Sequence, residues 1–126
     1  MPLKNLDSSN TGLIVGRFSF RKTVNGNLIG EFSNNGSVRV FAESAILLNH
    51  TGEDNSRQNF VGIYNTSWID ESGINNSRLL ISLKADTDSA LYSIKWEDDN
   101  DVLFVGEGFL IENNTLIGDY RNFNLP

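Results

Sequence analysis

At 126 residues with no Cys, the chain has the length of one domain, and it must hold its core without disulfides, thiolate metal sites or a Cys nucleophile. Ten Lys and Arg against sixteen Asp and Glu leave a net charge of −6, which argues against gripping phosphate backbones or an anionic membrane surface. No apolar run approaches the ~20 residues of a membrane-spanning helix, and residues 1–7 lack the apolar core of a signal peptide, so one cytoplasmic domain over 1–126 is expected, with 1–11 as a loosely ordered N-terminal segment.

Taken in chain order, apolar residues recur at period two, and no segment shows helical spacing. The first predicted strand runs from about Gly12 to Lys22 and aligns Ile14, Gly16, Phe18 and Phe20. Asn25-Gly26 is a strong hairpin signal. A second strand, from about Asn27 to Ser33, aligns Leu28, Gly30 and Phe32, and Asn34-Asn35-Gly36 turns the chain again. The third, from about Ser37 to Leu48, places Val38, Val40 and Ala42 on one face. Alternation is lost over Ala45-Ile46-Leu47-Leu48, which predicts a bulge near Glu43 and Ser44.

A polar loop from Asn49 to Gln58 leads to a fourth strand, Asn59 to Trp68, aligning Phe60, Gly62, Tyr64 and Trp68. Asp70 to Asn76 reads as another polar loop. The fifth strand, Ser77 to Ala85, aligns Leu79, Ile81 and Leu83. Asp86-Thr87-Asp88 turns into the sixth, Ala90 to Glu97, with Tyr92, Ile94 and Trp96. An acidic turn, Glu97 to Asp101, precedes the seventh strand, Val102 to Ile111. Asn113-Asn114 turns into the eighth, Thr115 to Phe123. Asn, at 17 of 126 residues, serves these turns because it tolerates left-handed backbone. Eight strands joined mostly by short turns predict an all-β, eight-stranded antiparallel up-and-down barrel, since closure removes two apolar edges.

One face collects Phe18, Phe20, Phe32, Phe60, Tyr64, Trp68, Tyr92, Trp96, Phe104 and Tyr120, and is expected to form the interior. The strand glycines Gly16, Gly30, Gly62, Gly106, Gly108 and Gly118 share it, as tight coiling against large neighbours requires. The opposite face carries Arg17, Arg21, Glu31, Arg39, Glu43, Lys84, Lys95, Glu107, Asp119 and Arg121, which reads as an outer surface with cross-strand charge pairs. Val15, Ile29, Phe41, Val61, Ile63, Leu80, Leu103, Val105, Phe109 and Ile117 fall on that outer face too. So much apolar surface predicts cover by a second subunit, hence a homo-oligomer.

Chemistry-bearing patterns are sparse. His50, the only His, sits in a polar loop near Glu53 and Asp54 and reads as a loop residue rather than a general base. One His without Cys builds no usual zinc site, and the Glu97 to Asp101 run lacks the spacing of a calcium loop. Glu31, Glu43, Glu107 and Asp119 offer a carboxylate pair only if inside and outside are reversed. No nucleophile elbow, phosphate-cradling loop or dinucleotide fingerprint occurs, so neither cofactor, metal nor catalytic residue is assigned.

The segments Tyr92-Ser93-Ile94-Lys95-Trp96, Phe104-Val105-Gly106-Glu107-Gly108-Phe109 and Leu116 to Tyr120 resemble the strands around the binding mouth of avidins. Gly16-Arg17-Phe18 is similar to the first-strand motif shared by avidins and lipocalins, and Gly30-Glu31-Phe32 resembles an avidin Gly-Thr-Tyr segment. The resemblance implies a calycin-like barrel in which Trp96, Phe104 and Tyr120 match the aromatic box around biotin. Asp98 and Asn100 would fall near the hydroxyl residues of the mouth. The positions that read the ureido group in avidins fall at about Phe20 and Phe32, which carry no polar atom. A ureido group left unpaired costs about 1–3 kcal/mol per bond, so tight biotin binding is not expected.

The leading expectation is a non-enzymatic barrel that binds a small, largely apolar molecule through Phe32, Tyr64, Trp68, Tyr92, Trp96, Phe104 and Tyr120. Two alternatives stand beside it. One is a barrel enzyme that shapes an apolar substrate for cyclisation or isomerisation, with Tyr64, Tyr92 and Trp96 lining its pocket. The other is an oligomeric interaction module with a solid core.

Overall fold

A computed structural model describes residues 12–50, 59–84, 91–99, 101–112 and 114–123. The N-terminal segment 1–11, the loop acids Glu53 and Asp54, the Asp86-Thr87-Asp88 turn, Asn100 and Asn113 lie outside the described residues. The eight strands are β1 (Val15–Lys22), β2 (Leu28–Asn34), β3 (Phe41–Asn49), β4 (Gly62–Asp70), β5 (Gly73–Leu83), β6 (Leu91–Asp98), β7 (Asp101–Ile111) and β8 (Thr115–Asn122). Each pairs antiparallel with its sequence neighbours, and β8 closes on β1, giving one closed barrel with no free edge. The up-and-down eight-stranded barrel read from the period-two pattern is the fold.

The up-and-down order gives the barrel two distinct ends. The β2–β3, β4–β5 and β6–β7 connections and the start of β1 lie at one, called here the lower end. The ends of β1, β3, β5 and β7 lie at the upper end. At the lower rim the two outermost strands are tied reciprocally: the Ile14 amide donates to Asn122 Oδ1 and the Asn122 amide to the Ile14 carbonyl, both at 3.2 Å.

Ring and glycine alternate across the seams. Tyr120 pairs with Gly16 and Gly106, Phe18 with Gly118, Phe20 with Gly30 and Tyr92 with Gly108. A glycine opposite an inward ring leaves the ring free to lie over the neighbouring strand, which permits tight coiling. At Gly16 the requirement is explicit, because a Cβ there would overlap the Tyr120 ring and the Ser33 carbonyl oxygen. The Tyr120 hydroxyl thereby crosses over β1 and donates to Ser33 O on β2 at 3.0 Å.

The structure corrects the sequence reading in four places. In β3 the inward residues are Phe41, Glu43 and Ala45, while Ala42, Ser44 and Ile46 face outward and Val38 and Val40 are exposed before the strand begins. Phe41 and Glu43 are therefore interior residues, not outer-face ones. The irregularity lies between Leu47 and Asn49, not near Glu43. Val61 precedes β4 and is buried beside Phe60 rather than on the outer face. The predicted polar loop from Asp70 to Asn76 is a tight hairpin, with Asp70 paired to Gly73 and Trp68 to Asn75.

Candidate functional site

All ten aromatic residues assigned to the inner face are buried, and Phe41 joins them. The upper half is a close-packed plug. Leu28, Ala45, Phe60, Tyr64, Leu79, Tyr92, Ile94 and Leu116 are wholly enclosed. Tyr64 donates its hydroxyl to the Phe60 carbonyl at 2.8 Å, and Lys22 caps this end by donating to the Asn59 carbonyl and lying over the Phe60 ring. Burial pushes the Tyr64 hydroxyl well above the ordinary tyrosine range.

The lower half has two unlike walls. The aromatic wall joins Phe32, Phe104, Tyr120, Trp96 and Phe18 edge to face, with centroid separations of 5.6–6.4 Å. Phe41 stacks on Phe32 at 5.2 Å, and Arg39 lies over its ring. The facing wall, on β3, β4 and β5, is polar. Glu43, Thr66, Asp70, Asn75 and Ser77 all turn inward and are all buried.

At the centre sits Glu43, 3 % exposed. Its Oε2 accepts a bond from Trp96 Nε1 at 3.1 Å and another from the Thr66 hydroxyl. Glu43 pairs directly with Gly30 on one side and Trp68 on the other, so a missing side chain and a large ring flank the carboxylate. Trp68 donates its own indole N–H to Asp70 Oδ2 at 3.1 Å, while Asp70 Oδ1 takes the Ser72 amide and hydroxyl at 2.8 and 2.5 Å. Ser77 donates to the Glu97 carbonyl at 2.7 Å. Among the described residues no buried side-chain polar atom lacks a partner.

Tyr120 bridges the two walls electrostatically. Burial pushes its hydroxyl up most strongly. The hydrogen bond from Asn34 Nδ2 at 3.1 Å opposes that, and the Glu43 charge adds to it. Tyr64 and Tyr120 are thus held neutral as hydrogen-bonding groups.

Of the seven residues expected to bind ligand, the structure gathers Phe32, Trp68, Trp96, Phe104 and Tyr120 in the lower half, and seals Tyr64 and Tyr92 in the upper plug. Sequence reasoning missed Glu43, Thr66, Asn75, Ser77 and Asp70. The available signal was the alternation Phe41-x-Glu43-x-Ala45, which puts an acid in phase with apolar neighbours. The other carboxylates of the proposed pair stay outside: Glu31, Glu107 and Asp119 are exposed, and Lys84 forms an ion pair with Glu107. His50 lies just past the end of β3. Among the described residues no group of three or more acids or His converges as a metal site.

The outer wall carries an open groove of about 500 Å³ lined by Ile29, Ala42, Ser44, Ser67, Ile69 and Ile74. Ile29, Ile69 and Ile74 are among the most exposed apolar side chains on the strands. No protein-family model, no curated protein and no solved structure matches this chain.

Proposed function

We propose that this barrel binds a small amphipathic molecule at its lower end, with Phe32, Trp68, Trp96, Phe104 and Tyr120 meeting the apolar body and the Glu43 wall meeting the polar part. The observation that carries this reading is the divided interior. A core kept only for stability gains nothing from five inward polar residues on adjacent strands, because replacing buried charge by well-packed apolar side chains is often neutral or stabilising. Buried ionisable groups among apolar walls are instead the usual composition of a ligand site.

The lower end supplies the entrance. At that end the inward polar side chains Asp70, Asn75 and Ser77 keep residual exposure, so the polar wall reaches the rim there. Since rings fill the space beside Glu43, entry requires the stacked Phe32–Phe41 pair to rotate away, as a two-ring gate. The reading is calycin-like in architecture. It does not extend to biotin, because Phe20 and Phe32 offer no polar atom where avidins read the ureido group.

Native mass spectrometry of the protein purified from its own host, without denaturation, tests the proposal. Retained mass that leaves on unfolding supports it. A bare chain whose two tryptophan signals stay unmoved across a small-molecule panel overturns it.

The outer groove favours a second, compatible reading: self-association through β2, β3, β4 and β5. Ile29, Ile69 and Ile74 border a mainly apolar depression that a second copy would cover.

A further inference from the structure

We infer that Asn25 is a site of self-catalysed covalent modification, deamidation through the Gly26 nitrogen, and that the fold shields the chain's other Asn-Gly pair, Asn35-Gly36, from the same reaction. The sequence holds these two Asn-Gly pairs, one in the β1–β2 turn and one in the β2–β3 connection. A glycine after asparagine leaves the next backbone nitrogen open to the asparagine side chain, because no Cβ stands in the way.

Both asparagines are exposed, so access to water does not separate them. In both pairs the glycine amide is also engaged: Gly26 N–H donates to the Thr23 carbonyl at 3.0 Å, and Gly36 N–H to Asn34 Oδ1 at 2.8 Å. The difference lies in the asparagine side chain. Asn35 stands in for a strand residue beside the start of β1. Its Oδ1 accepts the Val15 N–H at 3.0 Å, its Nδ2 donates to the Leu13 carbonyl at 2.9 Å, and its own amide donates to the Val15 carbonyl at 3.1 Å. Its Cγ cannot turn toward the Gly36 nitrogen without breaking both side-chain bonds. Asn25 has no such tether. Its turn is closed by backbone bonds and by the Thr23 side chain, which accepts the Asn27 N–H at 3.2 Å, while the Asn25 side chain makes no hydrogen bond among the described residues.

The reaction needs only water. The Gly26 nitrogen loses its proton and attacks Cγ of Asn25. The N–Cγ bond forms, the Cγ–Nδ2 bond breaks, and ammonia leaves with that proton. Water then opens the cyclic imide at either carbonyl, giving aspartate or isoaspartate. Either product takes the net charge from −6 to −7, since a neutral amide becomes a carboxylate. Isoaspartate also adds one backbone atom to the turn that sets Lys22 opposite Leu28. At Asn35 the attack must first release two hydrogen bonds, which slows it by about tenfold or more.

The test incubates the intact folded protein in warm, mildly alkaline buffer and maps deamidation over time by mass spectrometry. Cleavage at Lys22, Glu31 and Arg39 places the two sites on separate fragments, 23–31 and 32–39. Isoaspartate is labelled independently with an isoaspartyl methyltransferase. The expected result is deamidation and label on fragment 23–31, about tenfold or more faster than on fragment 32–39, with the two rates drawing together when the chain is unfolded in urea. Asn25→Gln, at a side chain without bonds to lose, should remove the product from fragment 23–31. Equal or faster reaction of fragment 32–39 in the folded protein overturns the shielding. A fragment 23–31 that stays unmodified in the folded protein while the urea-unfolded chain reacts, or that still deamidates in Asn25→Gln, overturns the assignment of Asn25.

Discussion

At the scale of single residues, Glu43 decides most. Its carboxylate oxygen is the described partner of both the Trp96 indole N–H and the Thr66 hydroxyl. Glu43→Ala is expected to strand those donors and lower stability by about 1–3 kcal/mol, whereas Glu43→Gln, which retains a carbonyl oxygen, should cost clearly less. Urea unfolding followed by tryptophan fluorescence measures the difference. Tyr64 and Tyr120 give a pH prediction. Both hydroxyls titrate above their unfolded value of about 10. A group whose folded pKa is raised contributes stability that is complete below the unfolded pKa and lost as pH rises toward the folded one. Stability should therefore hold up to about pH 10 and fall above it, and absorbance titration should show Tyr64 and Tyr120 ionising only with unfolding.

Strands differ in how plainly they could be read. In β1, β2, β6 and β8 large apolar residues or glycines mostly alternate with charged or polar ones, so burial follows from period two. β3 defeated the same rule because Ala42, Ile46 and Leu48 face outward while an acid faces inward. Alternation carries no sign when both faces are apolar, and the general rarity of buried charge then points the wrong way. The start of β5 failed for a related reason. Asn75 and Ser77 line the interior, yet a polar inner wall has the composition of a loop. Thus the rings of the candidate site other than Phe41 were legible and its polar half was not, since the alternation that marks a strand depends on an apolar interior. β8 offers the sharpest test of the coiling. Gly118 faces Gly108 across the β7–β8 seam, and a Cβ at Gly118 would overlap the Glu107 carbonyl oxygen. Gly118→Ala should destabilise by about 1–3 kcal/mol, read as a lower urea midpoint with an unchanged slope.

For the molecule as a whole, closure removes the hydrogen-bonding edges through which sheets aggregate. Self-association must then use faces rather than edges. The groove bordered by Ile29, Ile69 and Ile74 is the surface proposed for it. Ile69→Glu should shift the protein toward monomer in sedimentation velocity at micromolar concentration, with little change in unfolding of the isolated barrel because Ile69 is exposed. A wild type that is monomeric under those conditions sinks the self-association reading and leaves the interior site untouched.

The reciprocal bonds between Ile14 and Asn122 have a topological consequence. They hold the outer ends of β1 and β8 side by side, at the same rim and on paired strands. The order in which the staves are strung is then incidental to the cylinder they form. A gene that joins the chain after Asn122 to the chain before Ile14 through a short flexible link, and opens new termini in the Thr23–Asn27 turn, should yield the same barrel with β1 synthesised last. Matching circular dichroism and an unchanged tryptophan emission maximum would show that the ring, rather than the sequence of its parts, is the unit that folds.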